Sequence, residues 1–308
     1  MTLTTNDGRR TFDCEPSLTD TEVLEFCKRG FLLLEGIIDD ETNRRALDYL
    51  EARRAPQPAF LPPGLTEERL AELQTTPEPH GILLEDWFVQ RVLLQPIVAA
   101  VARSLLGPEM GLPVVMSNHR VETPNKALSW HNDSEHVYGP ELHYLEAFYF
   151  PQDTPPELGP TEVLPGSHIR RALTEPDQAG VPCSGRAGTV GIHVQSIAHR
   201  RPASTASGVR HMLKYNYWRT TPPARNWLTE PALDLRTANF GGHHDARYFA
   251  HMYYWLCGRG EQFRVIGGQG WPWSTPNQIG PSYGFEVAEG YVPHWRRNRD
   301  GFAYPPDG

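Results

Sequence analysis

The chain has 308 residues, of which 39% are hydrophobic and 21% are charged. This composition supports a sizeable buried core and excludes a disordered protein. The formal net charge of −8 gives no electrostatic reason to bind nucleic acid or an anionic membrane. The four cysteines form no CxxC pair, which argues against a structural zinc or a disulfide framework. Because no secretory signal or membrane span is recognisable, we expect a cytoplasmic protein.

The first third of the chain is predicted to be mainly helical. Ser17 or Thr19 can cap a first helix, which Gly30 is expected to end. The apolar run "FLLLEG" that follows has the length of a strand. Further helices are predicted over 39–53, 65–73 and 86–107. Pro96 is expected to kink or split the last of these.

From about residue 110 the pattern changes to short β-like runs separated by glycine and proline. Such spacing is typical of a sandwich or jelly roll and not of alternating strands and helices. After residue 222 the pattern becomes irregular, with one helix predicted over 245–257. We therefore predict a single domain over 1–308. Its parts are N-terminal helices (17–107), a β core (about 110–221) and a C-terminal extension (222–308).

The stretch "SWHNDSEHVYG" places a histidine and an aspartate two positions apart. On an extended strand His131 and Asp133 would project from the same face, with Asn132 turned away. Two such ligands are half of the facial triad of two histidines and one carboxylate that binds Fe(II) and leaves positions open. A hydrogen-bonded polar turn is the alternative interpretation of this motif.

A triad needs a second histidine, and His193 and His199 are both available downstream. After His199 a hairpin-like loop leads to Arg210, which the pattern predicts to face that histidine from the neighbouring strand. The planar guanidinium suits the terminal carboxylate of a dicarboxylate whose other end chelates the metal. His193 remains the rival for the third ligand, although a strand position facing the core explains it as well.

Four motifs in order over 18–219 resemble the phytanoyl-CoA dioxygenase family of Fe(II)/2-oxoglutarate-dependent oxygenases. They are "LTDTEVLEFCKRGFLLLEGII", "WHND", "FYFPQDTPPELGPTEVLPGSH" and the His199…Arg210 pair. The resemblance implies that His131, Asp133 and His199 bind iron and that Arg210 binds the far carboxylate of 2-oxoglutarate. It also implies a mainly β fold with flanking helices around a double-stranded β-helix, the cupin-like jelly roll.

The chain departs from the family where a small hydroxyl residue often stands two places after the distal histidine. That place is Arg201 here, so we expect either that Ser204 or Thr205 assists Arg210 or that no hydroxyl residue takes this role. Asn118 is a further candidate for contact with 2-oxoglutarate or water.

Three aromatic residues flank the predicted ligands in the sequence. We predict that Trp130, Tyr138 and Trp218 shape a substrate pocket, with packing in the core as the alternative for each.

A second HxD motif lies in "FGGHHDARYFAHM" and offers His243, Asp245 and His251. It stands at a predicted helix start, where Asp245 suits a cap or a first-turn acid. No paired strand and no downstream arginine accompany it. We therefore do not assign the metal site to this cluster.

The resemblance implies an enzyme that uses Fe(II), 2-oxoglutarate and O2 and releases succinate and CO2. Because Asp133 is present, we predict hydroxylation of an unactivated C–H bond, with desaturation or ring formation also open to the same chemistry. No basic cluster suits the phosphates of coenzyme A, so a small molecule, such as a specialised metabolite, is the expected substrate.

Two other function classes stay open for the chain. One is a cupin-type metal enzyme that does not use 2-oxoglutarate, against which Arg210 argues. The other is a catalytically silent family member that acts as a binding partner, against which the three intact ligands argue.

Overall fold

A computed structural model describes residues 14–52, 80–114, 116–133, 140–168, 180–233 and 243–259. Its α-helices are α1 (Asp20–Arg29), α2 (Asp40–Ala52), α3 (Asp86–Phe88), α4 (Pro96–Leu106) and α5 (His243–Leu256). Its strands are β1 (Phe31–Leu34), β2 (Met116–Asn118), β3 (Val121–Thr123), β4 (Tyr144–Phe150), β5 (Glu162–Val163), β6 (Val181–Pro182), β7 (Thr189–Val194), β8 (His199–Arg200), β9 (Gly208–Arg210) and β10 (Leu213–Trp218). The helix predicted over 65–73 lies outside the described residues.

Helix α1 begins and ends where its sequence predicts. Thr19 accepts a hydrogen bond from the backbone N–H of Glu22, whose side chain accepts one from the backbone N–H of Thr19. This capping box satisfies two donors that the helix start would otherwise leave free. At the other end Gly30 adopts a left-handed φ of 79°, and the chain enters β1 directly.

The apolar stretch before the β core breaks at Pro96, as predicted. Helix α3 continues as a π-helical turn over Val89–Leu93, and α4 then begins with Pro96 in its first turn. The Gln95 side chain accepts hydrogen bonds from two backbone N–H groups of α4. None of the described helices is by itself long and apolar enough to cross a membrane. The pair Asp86–Leu93 and Pro96–Leu106, which is bent by 68°, has the length and composition of a membrane span only when the two helices are counted together.

The β core is built on a five-stranded antiparallel sheet in the order β1-β7-β4-β10-β2. Two small sheets accompany it, β6-β5-β8 and β3-β9. The side chains of one face, such as Tyr149, Ile192 and Tyr215, join the apolar core of the helices. The opposite face carries Phe148 and packs with residues of the small β6-β5-β8 sheet. The predicted β-rich core flanked by helices is thereby confirmed.

One predicted strand neighbourhood is wrong. His199 was expected to face Arg210 across paired strands, but β8 pairs with β5 and β9 pairs with β3. The loop between the two residues therefore crosses from one small sheet to the other and is not a hairpin. Arg210 instead bonds to Gly159 and Thr161 in the segment before β5, the strand that pairs with the β8 strand of His199.

The described part of the C-terminal extension packs against helix α1. The buried Asp20 carboxylate accepts hydrogen bonds from Trp227 Nε1 at 2.6 Å and from the Tyr253 hydroxyl at 2.7 Å. It also pairs with Arg225, whose Nη2 lies 2.6 Å from Oδ2. The predicted helix over 245–257 is confirmed as α5.

Candidate metal centre

Two histidines from distant parts of the sequence are joined through their backbones. His131 donates its N–H to the carbonyl of His199 at 3.1 Å, and His199 donates to the carbonyl of His131 at 2.9 Å. Asp133 follows on the bend after this bridge. One ligand atom from each of His131, Asp133 and His199 lies within 4.8 Å of the other two. The predicted triad residues are therefore brought together.

Backbone carbonyls fix the orientation of both imidazoles. His131 Nδ1 lies 2.9 Å from the carbonyl oxygen of Ser129, and His199 Nδ1 lies 3.2 Å from that of Ile197. Because a carbonyl oxygen can only accept, Nδ1 carries the proton in each neutral ring. Nε2 is therefore the nitrogen that each ring can offer to a metal ion.

Asp133 completes the set with an ionised carboxylate. Its Oδ2 lies 3.2 Å from His199 Nε2, and its Oδ1 lies 3.9 Å from His131 Nε2. Burial would raise its pKa, but His199 and Lys214 outweigh that effect and hold the pKa well below its usual range. The intervening Asn132 donates to the carbonyl of Ser196, so it points away as predicted.

The site is closed on one side and open on the other. His199 is 7% exposed and packs against Phe148, with the ring centroids 5.5 Å apart. His131 is 43% exposed. An ion held here would have protein behind it and open positions in front, as small ligands need.

Two charged residues that sequence reasoning did not assign to the site lie beneath it. Lys214 contacts Asp133 Oδ2, and its Nζ is 3.1 Å from Glu146 Oε1. Glu146 is buried at the centre of β4, and desolvation raises its pKa to about 7. The signal for both was present, since each interrupts an apolar run with a charge, in "YLEAFYF" and "HMLKYNYW".

His193, the rival third ligand, lies in the sheet under the triad. It is fully buried on β7, its Nε2 is 3.7 Å from Glu146 Oε2, and its ring stands 6.0 Å from that of His199. Desolvation lowers its pKa to about 3. The three residues whose ligand atoms lie within reach of one ion thus include His199 and do not include His193.

Arg210 is a buried cation whose described partners are all neutral. Its Nη1 donates to the carbonyl of Gly159 at 2.9 Å and approaches the Thr161 hydroxyl at 3.4 Å. Its Nε has no hydrogen-bond partner, and among the described residues no carboxylate forms an ion pair with it. Burial lowers its pKa to about 10. A buried guanidinium with an unused donor fits an incoming carboxylate.

The hydroxyl nearest to Arg210 belongs to Thr161 and not to Ser204. The Ser204 hydroxyl accepts a hydrogen bond from the Asn125 N–H at 2.7 Å, although Ser204 stands beside Gly159. Thr205 donates its backbone N–H to Glu157. Thr161 lies in the motif "GPTEVLPGSH", so its position was visible in the sequence while its proximity to Arg210 was not.

The structure places Asn118 on the face of its strand away from the triad. Asn118 pairs with Leu213 on the helix side of the sheet, and its Nδ2 lies 3.0 Å from His211 Nδ1. His119 is the neighbour on the site's side. His119 is exposed on this side, and desolvation together with the charges of Lys214 and Arg210 lowers its pKa to about 4.

Of the three predicted pocket aromatics, two are described. Trp130 stacks under the guanidinium of Arg200, whose Cζ lies 4.5 Å from the centroid of the indole ring. Trp218 packs on Gly111, where any Cβ would collide with the indole. Trp218 is four residues further along β10 than Lys214, which puts the two residues about 13 Å apart along the strand. Tyr138 lies outside the described residues.

The second HxD motif does not form a recognisable site in the part of the chain that is described. His251 is buried in α5, and the side chains of residues 243–248 are outside the description. Within the described ranges the only group of three such ligands within reach of one ion is the triad.

The donor set fits Fe(II). Two imidazole nitrogens and one carboxylate oxygen, oriented and open on one side, match the non-haem iron triad and differ from the closed sulfur-rich sites of structural zinc. A β-rich core that carries this triad and a buried arginine defines the class of non-haem iron oxygenases that bind a dicarboxylate.

Comparisons with known proteins agree. The family described as phytanoyl-CoA dioxygenase (PhyH) matches residues 26–212, more than half of the chain. The chain therefore belongs to the phytanoyl-CoA dioxygenase family, within the Fe(II)/2-oxoglutarate-dependent oxygenases. The predicted family is confirmed, and with it the class of cofactors, Fe(II) and 2-oxoglutarate.

Individual relatives are more distant. An ectoine dioxygenase of Bordetella parapertussis is 27% identical over 162 residues, 49% of this chain and 50% of that protein. The chain thus spans about half the length of the curated relatives it matches. EctD from S. alaskensis, solved with 2-oxoglutarate and 5-hydroxyectoine, superposes with a TM-score of 0.50 at 19% identity, covering 70% of this chain and 78% of that one. The structure of CytC3 superposes with a TM-score of 0.50 at 12% sequence identity, covering 67% of this chain and 80% of that one. At these identities the solved structures support the fold alone.

Proposed function

We propose that this protein is a non-haem Fe(II)/2-oxoglutarate-dependent oxygenase that hydroxylates an unactivated C–H bond of a small molecule. The observation that carries the proposal is the triad of His131, Asp133 and His199 beside a buried Arg210 that has no carboxylate partner in the described structure. The jelly-roll connectivity of the β core is part of the same proposal.

In this proposal the three ligands hold the ion through His131 Nε2, His199 Nε2 and one oxygen of Asp133. The Nδ1 hydrogen bonds to Ser129 and Ile197 keep both rings in place, so coordination requires little rearrangement. Arg210 binds the far carboxylate of 2-oxoglutarate with its unused Nε–H and the planar edge of its guanidinium. In this proposal Thr161 takes the role of assisting Arg210 that the sequence had predicted for Ser204.

When bound, Fe(II) would supply, together with 2-oxoglutarate and O2, the oxidant that attacks an inert C–H bond. One oxygen atom of O2 would enter succinate and the other would enter the alcohol product, and CO2 would be released. The chain's own part is to position and to shield. His199 and the apolar Phe148 exclude water from behind the site. The exposed edge of His131 leaves the front free for the substrate.

A small-molecule substrate is supported by the relatives, which include an ectoine dioxygenase, and by the absence of a basic cluster in the sequence suited to coenzyme A. Desaturation and ring formation use the same hydrogen removal and remain variants of the proposal. Tight binding and turnover of an acyl-CoA would overturn this substrate class and leave the reaction class intact.

The reaction class is tested by following succinate from 2-oxoglutarate in protein supplied with Fe(II), ascorbate and 18O2. We expect succinate carrying one 18O atom at a rate well above that of His199→Ala. His143→Ala, a change of the same kind at an exposed histidine, should behave as the wild type. Succinate at the same low rate in wild type and His199→Ala would contradict the proposal. Substrate oxidation without succinate would instead identify a metal enzyme that does not use 2-oxoglutarate.

A further inference from the structure

We propose that Lys214 is a positioning residue of the metal centre, which holds Oδ2 of Asp133 so that the carboxylate offers only Oδ1 to the ion. This inference rests on the proposed function of the triad and concerns a residue outside it. It assigns a role to a lysine and a glutamate that the metal ligation itself does not use.

The first step is the geometry. Lys214 projects from β10 toward the triad, where its Nζ contacts Asp133 Oδ2 and lies 3.1 Å from Glu146 Oε1. Both Asp133 oxygens border the triad, since Oδ1 lies 3.9 Å from His131 Nε2 and Oδ2 lies 3.2 Å from His199 Nε2, and Lys214 engages the second of them. An ammonium bound to one carboxylate oxygen opposes bidentate coordination, because its hydrogen bond occupies one lone pair of that oxygen and its positive charge repels a cation approaching the other.

The second step is the pairing that fixes the lysine. Phe148 on β4 is the direct cross-strand partner of Lys214, and Glu146 lies two residues along that strand on the same face. Glu146 is 1% exposed and has no arginine partner among the described residues. A buried carboxylate of this kind needs a cation. Lys214 therefore binds Glu146 from one side and Asp133 from the other, which removes the freedom that a surface lysine keeps.

The third step is the choice of residue. The chain contains only three lysines, Lys28, Lys126 and Lys214, against 26 arginines. Lys126 is exposed, and Lys28 is 32% exposed. Lys214 is 20% exposed, the least of the three, and it stands where a compact charge fits between two carboxylates. A guanidinium fork would favour both oxygens of one carboxylate instead.

The consequence concerns the coordination sphere. If Asp133 binds through one oxygen, the triad occupies three positions, so that three of six remain for the two donor atoms of 2-oxoglutarate and for O2. If both oxygens bound, one of these positions would be lost. Lys214 thus keeps a position free without touching any reacting atom.

The test uses Co(II) as a redox-stable probe, titrated anaerobically into the full-length protein without 2-oxoglutarate. Lys214→Met is expected to free the second oxygen of Asp133 and so to change the intensity of the visible Co(II) bands, which depends on coordination number. Because it also removes a positive charge beside the ion, Co(II) should bind at least as tightly as in the wild type. Lys214→Arg, which keeps the cation but not its compact shape, should alter the spectrum less than Lys214→Met does. The matched control Lys126→Met should equal the wild type in both affinity and spectrum.

A second measurement needs no substitution of the lysine. Acetylation of the three lysines is followed by mass spectrometry in the wild type and in Asp133→Asn. We expect Lys214 to react about tenfold faster in Asp133→Asn, the loss of one charge-assisted hydrogen bond, with Lys28 and Lys126 unchanged. An unchanged Lys214 rate would overturn the positioning role, even if Lys214→Met did not fold.

The outcomes separate the two proposals. If the wild type binds Co(II), His131→Ala does not, and Lys214→Met gives the wild-type spectrum, the positioning role is wrong and the metal site stands. If the wild type binds no Co(II), the proposed function fails, and the inference about Lys214 fails with it.

Discussion

Arg210 distinguishes a 2-oxoglutarate site from a bare metal triad. Its guanidinium is buried, it is satisfied only by a carbonyl and a hydroxyl, and it retains a free Nε–H. A buried cation without an anionic partner is unfavourable by several kcal/mol in real proteins. In the proposed function, the carboxylate of 2-oxoglutarate would remove that cost, and Arg210 would give the site affinity for a dianion before any contact with the metal.

Replacing this arginine should therefore weaken the cosubstrate and spare the metal. Arg210→Met is expected to raise the dissociation constant of 2-oxoglutarate by roughly 10- to 100-fold, since hydrogen bonds to charged groups contribute about 1.5–3 kcal/mol. Calorimetry on the Mn(II)-loaded protein measures this directly. Arg44→Met, at an exposed position of helix α2, is the control and should bind 2-oxoglutarate as the wild type does. Equal affinity in both variants would remove Arg210 from the site.

The residues around Asn118 show how closely a site depends on strand register. Successive side chains of a strand alternate between faces, so a shift of one residue exchanges the site for the core. The sequence contains "SNHR" but does not say which side faces the triad. The pairing of Asn118 with Leu213 decides it, and that pairing joins residues nearly a hundred positions apart.

Two neighbouring substitutions should consequently give opposite results. Asn118→Ala removes the hydrogen bond to buried His211 and should lower the free energy of unfolding by about 1–3 kcal/mol, with little change in 2-oxoglutarate affinity. His119→Ala should weaken 2-oxoglutarate binding with little change in stability. Urea unfolding and calorimetry on the Mn(II)-loaded protein measure the two properties. The reverse pattern would return Asn118 to the site.

At the scale of the elements, helix ends and breaks were predictable and strand partners were not. The capping box at Thr19, the glycine at position 30 and the break at Pro96 are local chemistry, written in a few adjacent residues. The pairing of β8 with β5 and of β9 with β3 depends on packing across the whole sheet. The wrong expectation that His199 faces Arg210 arose from assuming that neighbours in sequence pair as a hairpin.

Helix α1 and the C-terminal extension are held together by one carboxylate. Asp20 is fully buried and accepts hydrogen bonds from Trp227, Tyr253 and Arg225, and from the backbone N–H of Glu230. Burial would raise its pKa, but these donors outweigh it and lower the pKa from its ordinary value of 3.8. This contact therefore adds a buried ion-pair network to the apolar packing of the two helices.

Asp20→Asn should lower the free energy of unfolding by about 1–3 kcal/mol, because a buried amide cannot satisfy all of the donors that the carboxylate accepts. A carboxyl whose pKa is lowered on folding stabilises the protein above pH 3.8 and ceases to do so as the pH falls through its folded pKa. The difference between wild type and variant should therefore shrink below about pH 4. Urea unfolding at several pH values measures it, with Asp40→Asn at the exposed start of α2 as control. A pH-independent difference would contradict this account.

Across the whole molecule, the sequence predicted the chemistry better than the architecture that supports it. His131, Asp133 and His199 were identified by spacing and by resemblance, and they are the residues that the fold brings within reach of one ion. Glu146, Lys214 and Thr161 were not, because their roles arise only when β4, β10 and the segment before β5 converge. Composition and local pattern do not encode that convergence.

The central claim is that one site holds Fe(II) and 2-oxoglutarate together, and a single anaerobic titration tests it most directly. Fe(II) is added to the apo-protein, then 2-oxoglutarate, and the visible metal-to-ligand charge-transfer band is recorded. We expect a band in the wild type that is absent in His131→Ala and requires more 2-oxoglutarate in Arg210→Ala. A well-folded wild type with no band would contradict the oxygenase assignment and favour a catalytically silent binding protein.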